Sequence, residues 1–211
     1  MKRRNIMIGA AAGAVGAVVG FEAKADDTGA MHDAFSARLI RAHARGIFSM
    51  TFRRSDGSIF YQERFHNTVM TLGKNALENS GLAGSSYTAV CYMGLISGTS
   101  FSAISAADTM TSHAGWLEAG NANAPTYGTT GPRLTLTWAA AASGAISTSG
   151  TNAYVFSGSG TVQGGFIVFG SGASATVGNT GGTLFNAGTL ASPQVVASTN
   201  TVDLAYTLTL T

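Results

Sequence analysis

The chain has 211 residues, twelve of them basic and ten acidic, for a formal net charge of +2, and only 10% of the sequence is charged. Eleven of the twelve bases lie at or before Lys74, and everything beyond holds one base, Arg133, and four acids, Glu78, Asp108, Glu118 and Asp203. So little charge in the larger part excludes an extended basic nucleic-acid surface there, fits a shell, stalk or adhesin better than an enzyme cleft, and leaves a free monomer poorly protected from association.

Residues 1–25 read as a secretory signal: Lys2, Arg3 and Arg4, the apolar run Ile6 to Phe21, then Ala23-Lys24-Ala25 before Asp26. Glycines at 9, 13, 16 and 20 make the run too short and too interrupted for a membrane span of about 20 apolar residues, while their spacing suits close helix packing. The expectation is a retained arm that orders against a neighbouring subunit through Ile6, Ile8, Val15, Val18 and Phe21. The alternative is a mature chain starting near Asp26.

After Asp26-Asp27-Thr28-Gly29, the stretch Met31 to Ala44 has helical spacing. Phe35, Leu39 and Ala42 recur at four and three residues, and Arg38, Arg41 and Arg45 occupy other faces. With His32 and His43 the arginines offer a basic surface to an acidic partner or to nucleic acid, but no aromatic stacking platform is interleaved with them, and a solvated face is the simpler reading. Phe35, Arg38, Leu39, Arg41 and Arg45 join the apolar run as candidate interface residues, and residues 1–45 are taken as an arm preceding a domain of residues 46–211.

From Gly46 the period changes to two. Ile47, Phe48, Met50 and Phe52 lead into Ser55-Asp56-Gly57-Ser58, and Ile59 to Phe65 returns, a strong hairpin signal. A short helix is predicted from Leu72 to Glu78, ending at Gly81 and capping one end of a sheet. Tyr87 to Ile96 is the most apolar run beyond the N-terminus and reads as a central strand covered on both faces, with the lone Cys91 as a small buried hydrophobe. In Ser105 to Glu118, Asp108 can cap a helical turn and Gly115 can release the chain into an extended Trp116-Leu117-Glu118.

Further strands are predicted at Arg133 to Ala139, Ala153 to Ser157, Thr161 to Phe169, Gly182 to Asn186, Val195 to Ala197 and Thr201 to Leu210. In the last, Val202, Leu204, Tyr206, Leu208 and Leu210 share one face. Ser143 to Asn152 and Gly170 to Gly182 read as loops. The whole is mainly β: an antiparallel β-sandwich, of jelly-roll or immunoglobulin-like topology, with an N-terminal arm and a short helix.

Several patterns invite chemistry. Asp108, Ser112 and His113 hint at a hydrolase triad, but a five-residue separation on a helix does not bring Asp108 and His113 together. His32, His43, His66 and His113 show no metal-ligand spacing with one another or with Cys91. Gly164-Gly165 lies inside a strand pattern, where a bulge or a close backbone approach explains it better than a phosphate loop. Trp116 and Trp138 divide between core packing and interface anchoring, and Trp116 is kept as a candidate anchor.

The early strand, Asp-Gly, strand followed by His66-Asn67-Thr68-Val69, then Met93-Gly94-Leu95-Ile96, Asp108-Thr109-Met110 with Ser112-His113-Ala114-Gly115-Trp116-Leu117-Glu118, and the Gly164-Gly165-Phe166 strand, resembles a group of tailed-bacteriophage virion structural proteins. The likeness covers residues 46–211 and leaves the arm outside it. It implies a non-enzymatic head decoration or cement protein of the phage head, bound to the major capsid protein and to copies of itself. A tail or head-fibre component contacting the host surface is the alternative, and the signal-like N-terminus adds a secreted, adhesin-like protein as a third. No cofactor, metal, nucleic-acid or membrane partner is expected.

Overall fold

The computed structural model describes residues 44–81, 90–127, 132–150 and 152–210. The predicted arm lies outside the described residues, including Ile6, Ile8, Val15, Val18, Phe21, Phe35, Arg38, Leu39 and Arg41, together with most of the expected helix from Met31.

Among the described residues, two six-stranded antiparallel sheets pack face to face as a β-sandwich. Sheet A is built around strand β1 (Ala44–Arg53), flanked by β2 (Ile59–His66) and β12 (Thr201–Leu210); β8 (Ala145–Ser149) and β9 (Asn152–Val155) both pair with β12, and β7 (Thr137–Trp138) continues from β8. Sheet B runs β3 (Thr68–Val69), β11 (Thr183–Val196), β10 (Gly160–Phe169), β4 (Cys91–Ser97) and β5 (Leu117–Glu118), with β6 (Leu134–Thr135) also on β4. A helix, α1 (Thr71–Gly81), lies against β11, where Gly73 passes so close that an added Cβ would meet the Phe185 carbonyl.

Period-two alternation places Phe48, Met50 and Phe52 of β1 beside Val202, Leu204 and Tyr206 of β12, all facing inward and buried. Cys91, Met93 and Leu95 of β4 and Ile167 and Phe169 of β10 close the same core from sheet B. Leu210, expected on that face, is half exposed because β12 runs past the end of the core. The outward positions of β1 and β12 mix short side chains such as Thr51, Ala205 and Thr209 with Arg45, Ile47 and the Arg53–Asp203 ion pair, and they remain in reach of solvent.

Sheet B is covered on both faces, which makes β4 the doubly buried strand its unbroken apolar run predicts. Its second face, with Ile96, Phe166, Val168 and Leu184, forms a separate hydrophobic cluster with Phe101, Ile104, Met110 and Trp116 of the segment between β4 and β5. The glycine pair also behaves as expected. Gly164 passes within contact of the Gly188 carbonyl, Gly165 leaves room for Met50, and the register slips beside them between Val162 and Gly164.

Three expectations are corrected. Ala44 and Arg45, placed at the end of a helix, begin β1, since the ladder to β12 continues to Ala44 opposite Leu210. Ser143 to Asn152, read as a loop, contains β8, whose Ala145, Ile146 and Ser147 pair with Thr209, Leu208 and Thr207. The strands expected at Gly182 to Asn186 and Val195 to Ala197 are the two ends of one long bulged strand, β11.

Candidate functional site

The run Asp108 to Glu118 and its surroundings hold the densest group of polar side chains. Asp108 accepts hydrogen bonds from the Trp116 indole, Nε1 to Oδ2 at 2.9 Å, and from the Ser105 amide at 3.0 Å. His113 stacks on Trp116 with ring centroids 4.0 Å apart, and its Nδ1 lies 2.9 Å from the Trp116 carbonyl oxygen. The Ser112 amide donates to Thr109 Oγ1. Asp108 and His113 are thus both turned toward the tryptophan, and the arrangement is a clasp on an indole rather than a proton relay.

The clasp has a mechanical cause. The Gly115 carbonyl oxygen accepts from the amides of Ser102 and Ala103, and a Cβ at Gly115 would fall 2.2 Å from the Ala103 carbonyl oxygen, so only glycine lets the two arms of the loop close. Closure drives Trp116 onto Phe166 at 5.2 Å between centroids, where it is 1% exposed. Trp116 is therefore not available as an interface anchor: its ring is consumed by its own chain. Trp138 packs edge-on to Tyr206 against the inter-sheet core.

Beside the clasp, Arg133 and Glu118 form a buried bidentate ion pair, Nε to Oε1 at 2.7 Å and Nη2 to Oε2 at 2.8 Å. Arg133 also donates to the carbonyl oxygens of Ser174 and Asn179, and the Gly178 amide donates to Glu118 Oε2. The guanidinium lies 5.5 Å from the centre of the Phe166 ring. This pins the loop between β10 and β11, Gly170 to Gly182 of the sequence reading, onto β5 and the start of β6. The one signal was that Arg133 is the only base after Lys74.

At one end of the sandwich, a cavity of about 350 Å³ opens between α1 and the two sheets, lined by Leu77, Cys91, Trp138, Ile146, Phe185 and Leu208 among others. Among the described residues its wall carries no charged side chain. A second, open hollow of about 270 Å³ is lined by Ala44, Arg45, Gly46, His66 and Asn67. Arg45, the one arm candidate within the described residues, is exposed at its rim on β1, opposite Thr209.

Among the described residues no three His, Cys, Asp or Glu side chains gather as a metal site would require, and no helix is long and apolar enough to cross a membrane. Tyr127 and Tyr154, whose rings lie 4.3 Å apart, back the Glu118–Arg133 pair from the inter-sheet core. Burial holds both phenols well above the ordinary tyrosine range, and their hydroxyls donate to the Ala119 and Met93 carbonyl oxygens. Comparison with known protein families, with curated protein sequences and with solved structures finds no match to this chain.

Proposed function

We propose that the chain is a non-enzymatic structural component of a bacteriophage particle, a capsid decoration or cement protein that stabilises the head by bridging major capsid protein subunits. The observation that carries the structural reading is the use made of Asp108, His113, Trp116, Glu118 and Arg133. The most chemically varied stretch of the sequence fastens an outer layer onto sheet B and leaves each of these groups occupied within its own chain. Placement on the head rests on the sequence resemblance over residues 46–211. The low charge of the domain supports a life within an assembly.

The mechanism is association energy. The sandwich supplies one rigid contact, and the apolar run Ile6 to Phe21 of the arm supplies a second, tethered one that buries further apolar surface. Linking two weak contacts raises overall affinity by about 10²–10⁴-fold without strengthening either. Quantitative mass spectrometry of purified particles tests this by counting the chain against the major capsid protein and reading its first residue. Near-capsid stoichiometry with the Met1 region intact is the expected result. A few copies per particle would move the protein to the tail or a fibre, and absence from particles with a start near Asp26 would make it a secreted protein.

A further inference from the structure

We infer that the cavity between α1 and the two sheets is a binding site for a small, uncharged, hydrocarbon-rich molecule such as one built on a medium-length alkyl chain. The sequence of α1 sets up the space. Its first turn is clamped to β11: the Met70 amide donates to the Phe185 carbonyl oxygen at 2.9 Å, and a Cβ added to Gly73 would fall 2.5 Å from that same oxygen. Ala76, Leu77 and Ser80 follow at helical spacing on the face of Gly73, and all three line the cavity. Ala76 and Ser80 are short, so the helix presents little side-chain volume where the sheets stand opposite it.

The opposite walls are preformed. Sheet A supplies Trp138, Ile146 and Leu208, the last two paired across β8 and β12, and sheet B supplies Cys91, Phe169 and Phe185. The rings brace one another. Phe169 meets Phe185 edge-on at 5.6 Å, Phe185 meets Tyr206 at 6.5 Å and Tyr206 meets Trp138 at 6.2 Å between centroids. Turning any one of them into the space gives up an aromatic contact. The cavity is thereby held at about 350 Å³, more than twice the roughly 150 Å³ in which an apolar cavity takes up benzene.

The chemistry of the wall selects the occupant. Among the described residues it carries no charged or carboxamide side chain, and Ser80 brings its single hydroxyl. An ionic or strongly hydrogen-bonding group drawn inside would lose its water without gaining a partner, whereas alkyl carbon is favoured there over water. Ala76, Leu77, Trp138 and Ile146 are each only partly buried, and they form an apolar rim through which such a molecule enters.

Titration of the full chain with decan-1-ol tests the site, with Trp138 as reporter because Trp116 is enclosed against the other face of sheet B. The expected result is a saturable change in tryptophan emission at one molecule per chain, and a melting temperature that rises with decanol concentration. Ala76→Phe, which puts a ring into the cavity, is expected to weaken binding at least tenfold. No saturable binding, or equal affinity in Ala76→Phe, would overturn the inference. Should that variant fail to fold, alkylation of Cys91, the one cysteine of the chain, decides the point in the unmodified protein. Saturable slowing of the reaction by decanol supports the site, and an unaltered rate overturns it. Uptake by the purified chain that vanishes in its assembled form would make the cavity a socket for a neighbouring subunit's apolar side chain and overturn the ligand assignment.

Discussion

At the residue scale the Glu118–Arg133 pair is the clearest liability. Arg133 is 2% exposed, and removing it leaves the Glu118 carboxylate buried with, among the described residues, the Gly178 amide as the remaining hydrogen-bond donor to its side chain. Breaking a buried pair from one side costs about 3–5 kcal/mol, whereas replacing both charges by apolar groups of similar volume is often nearly neutral. Arg133→Met is therefore expected to lower unfolding free energy in urea by that amount, and Glu118→Leu combined with Arg133→Met to recover most of it. Additive losses in the double variant would show that the two groups act separately. At the clasp, Asp108→Ala is expected to cost about 1–3 kcal/mol through the stranded indole N–H and loop amide, with Asp108→Asn costing less because its carbonyl oxygen still accepts. Equal melting of the two variants would remove the indole bond from the account.

At the element scale the exposed edges are managed by side chains. The Ala191 amide on the edge of β11 donates to both Glu63 carboxylate oxygens of β2, and Tyr61 donates to Glu63 Oε2 at 2.6 Å, so a charged group on sheet A blunts the edge of sheet B. The Tyr61–Glu63 hydrogen bond is the main reason the Tyr61 phenol is pushed up to about 12, with burial and the Glu63 charge adding to it. A raised phenol pKa stabilises the fold fully below the ordinary value of 10.0, and the contribution is lost as pH rises through about 12. Stability in urea is expected to fall between those two values. Glu63→Gln should let Tyr61 titrate nearer 10.0, as followed by tyrosinate absorbance, and an unchanged titration would show that the bond is not the cause.

Legibility from sequence followed the physics of each element. The β1–β2 hairpin was readable because Gly57, at φ 84°, takes the conformation its Asp-Gly turn demands and clean alternation flanks it. Strand β8 was not, because Ala145-Ile-Ser-Thr-Ser149 lies half-buried near the edge and carries neither alternation nor an apolar run. β11 looked like two strands because its middle, Ala191 to Pro193, is exposed. The clasp motif was visible as a pattern, but its partners were not: an indole reaching back eight residues and an arginine gripping a loop more than forty residues ahead are tertiary facts.

At the scale of the whole molecule, one face of each sheet builds the common core and the outer face of sheet B is covered by the chain's own loops. Every strand that the structure describes falls within Ala44 to Leu210, and β1 and β12 pair with each other over their full lengths. A deletion of residues 1–25 is therefore expected to leave the melting of the sandwich within about 0.5 kcal/mol of the full chain, as changes away from the core do. The same deletion should reduce retention on heads at least tenfold, because tethered contacts contribute about 10²–10⁴-fold to overall affinity. Calorimetry of the two purified chains and competition between them for undecorated heads separate the effects. Full occupancy by the truncated chain would remove the arm from the mechanism while leaving the sandwich as the binding element, whereas early melting would make the arm part of the fold itself.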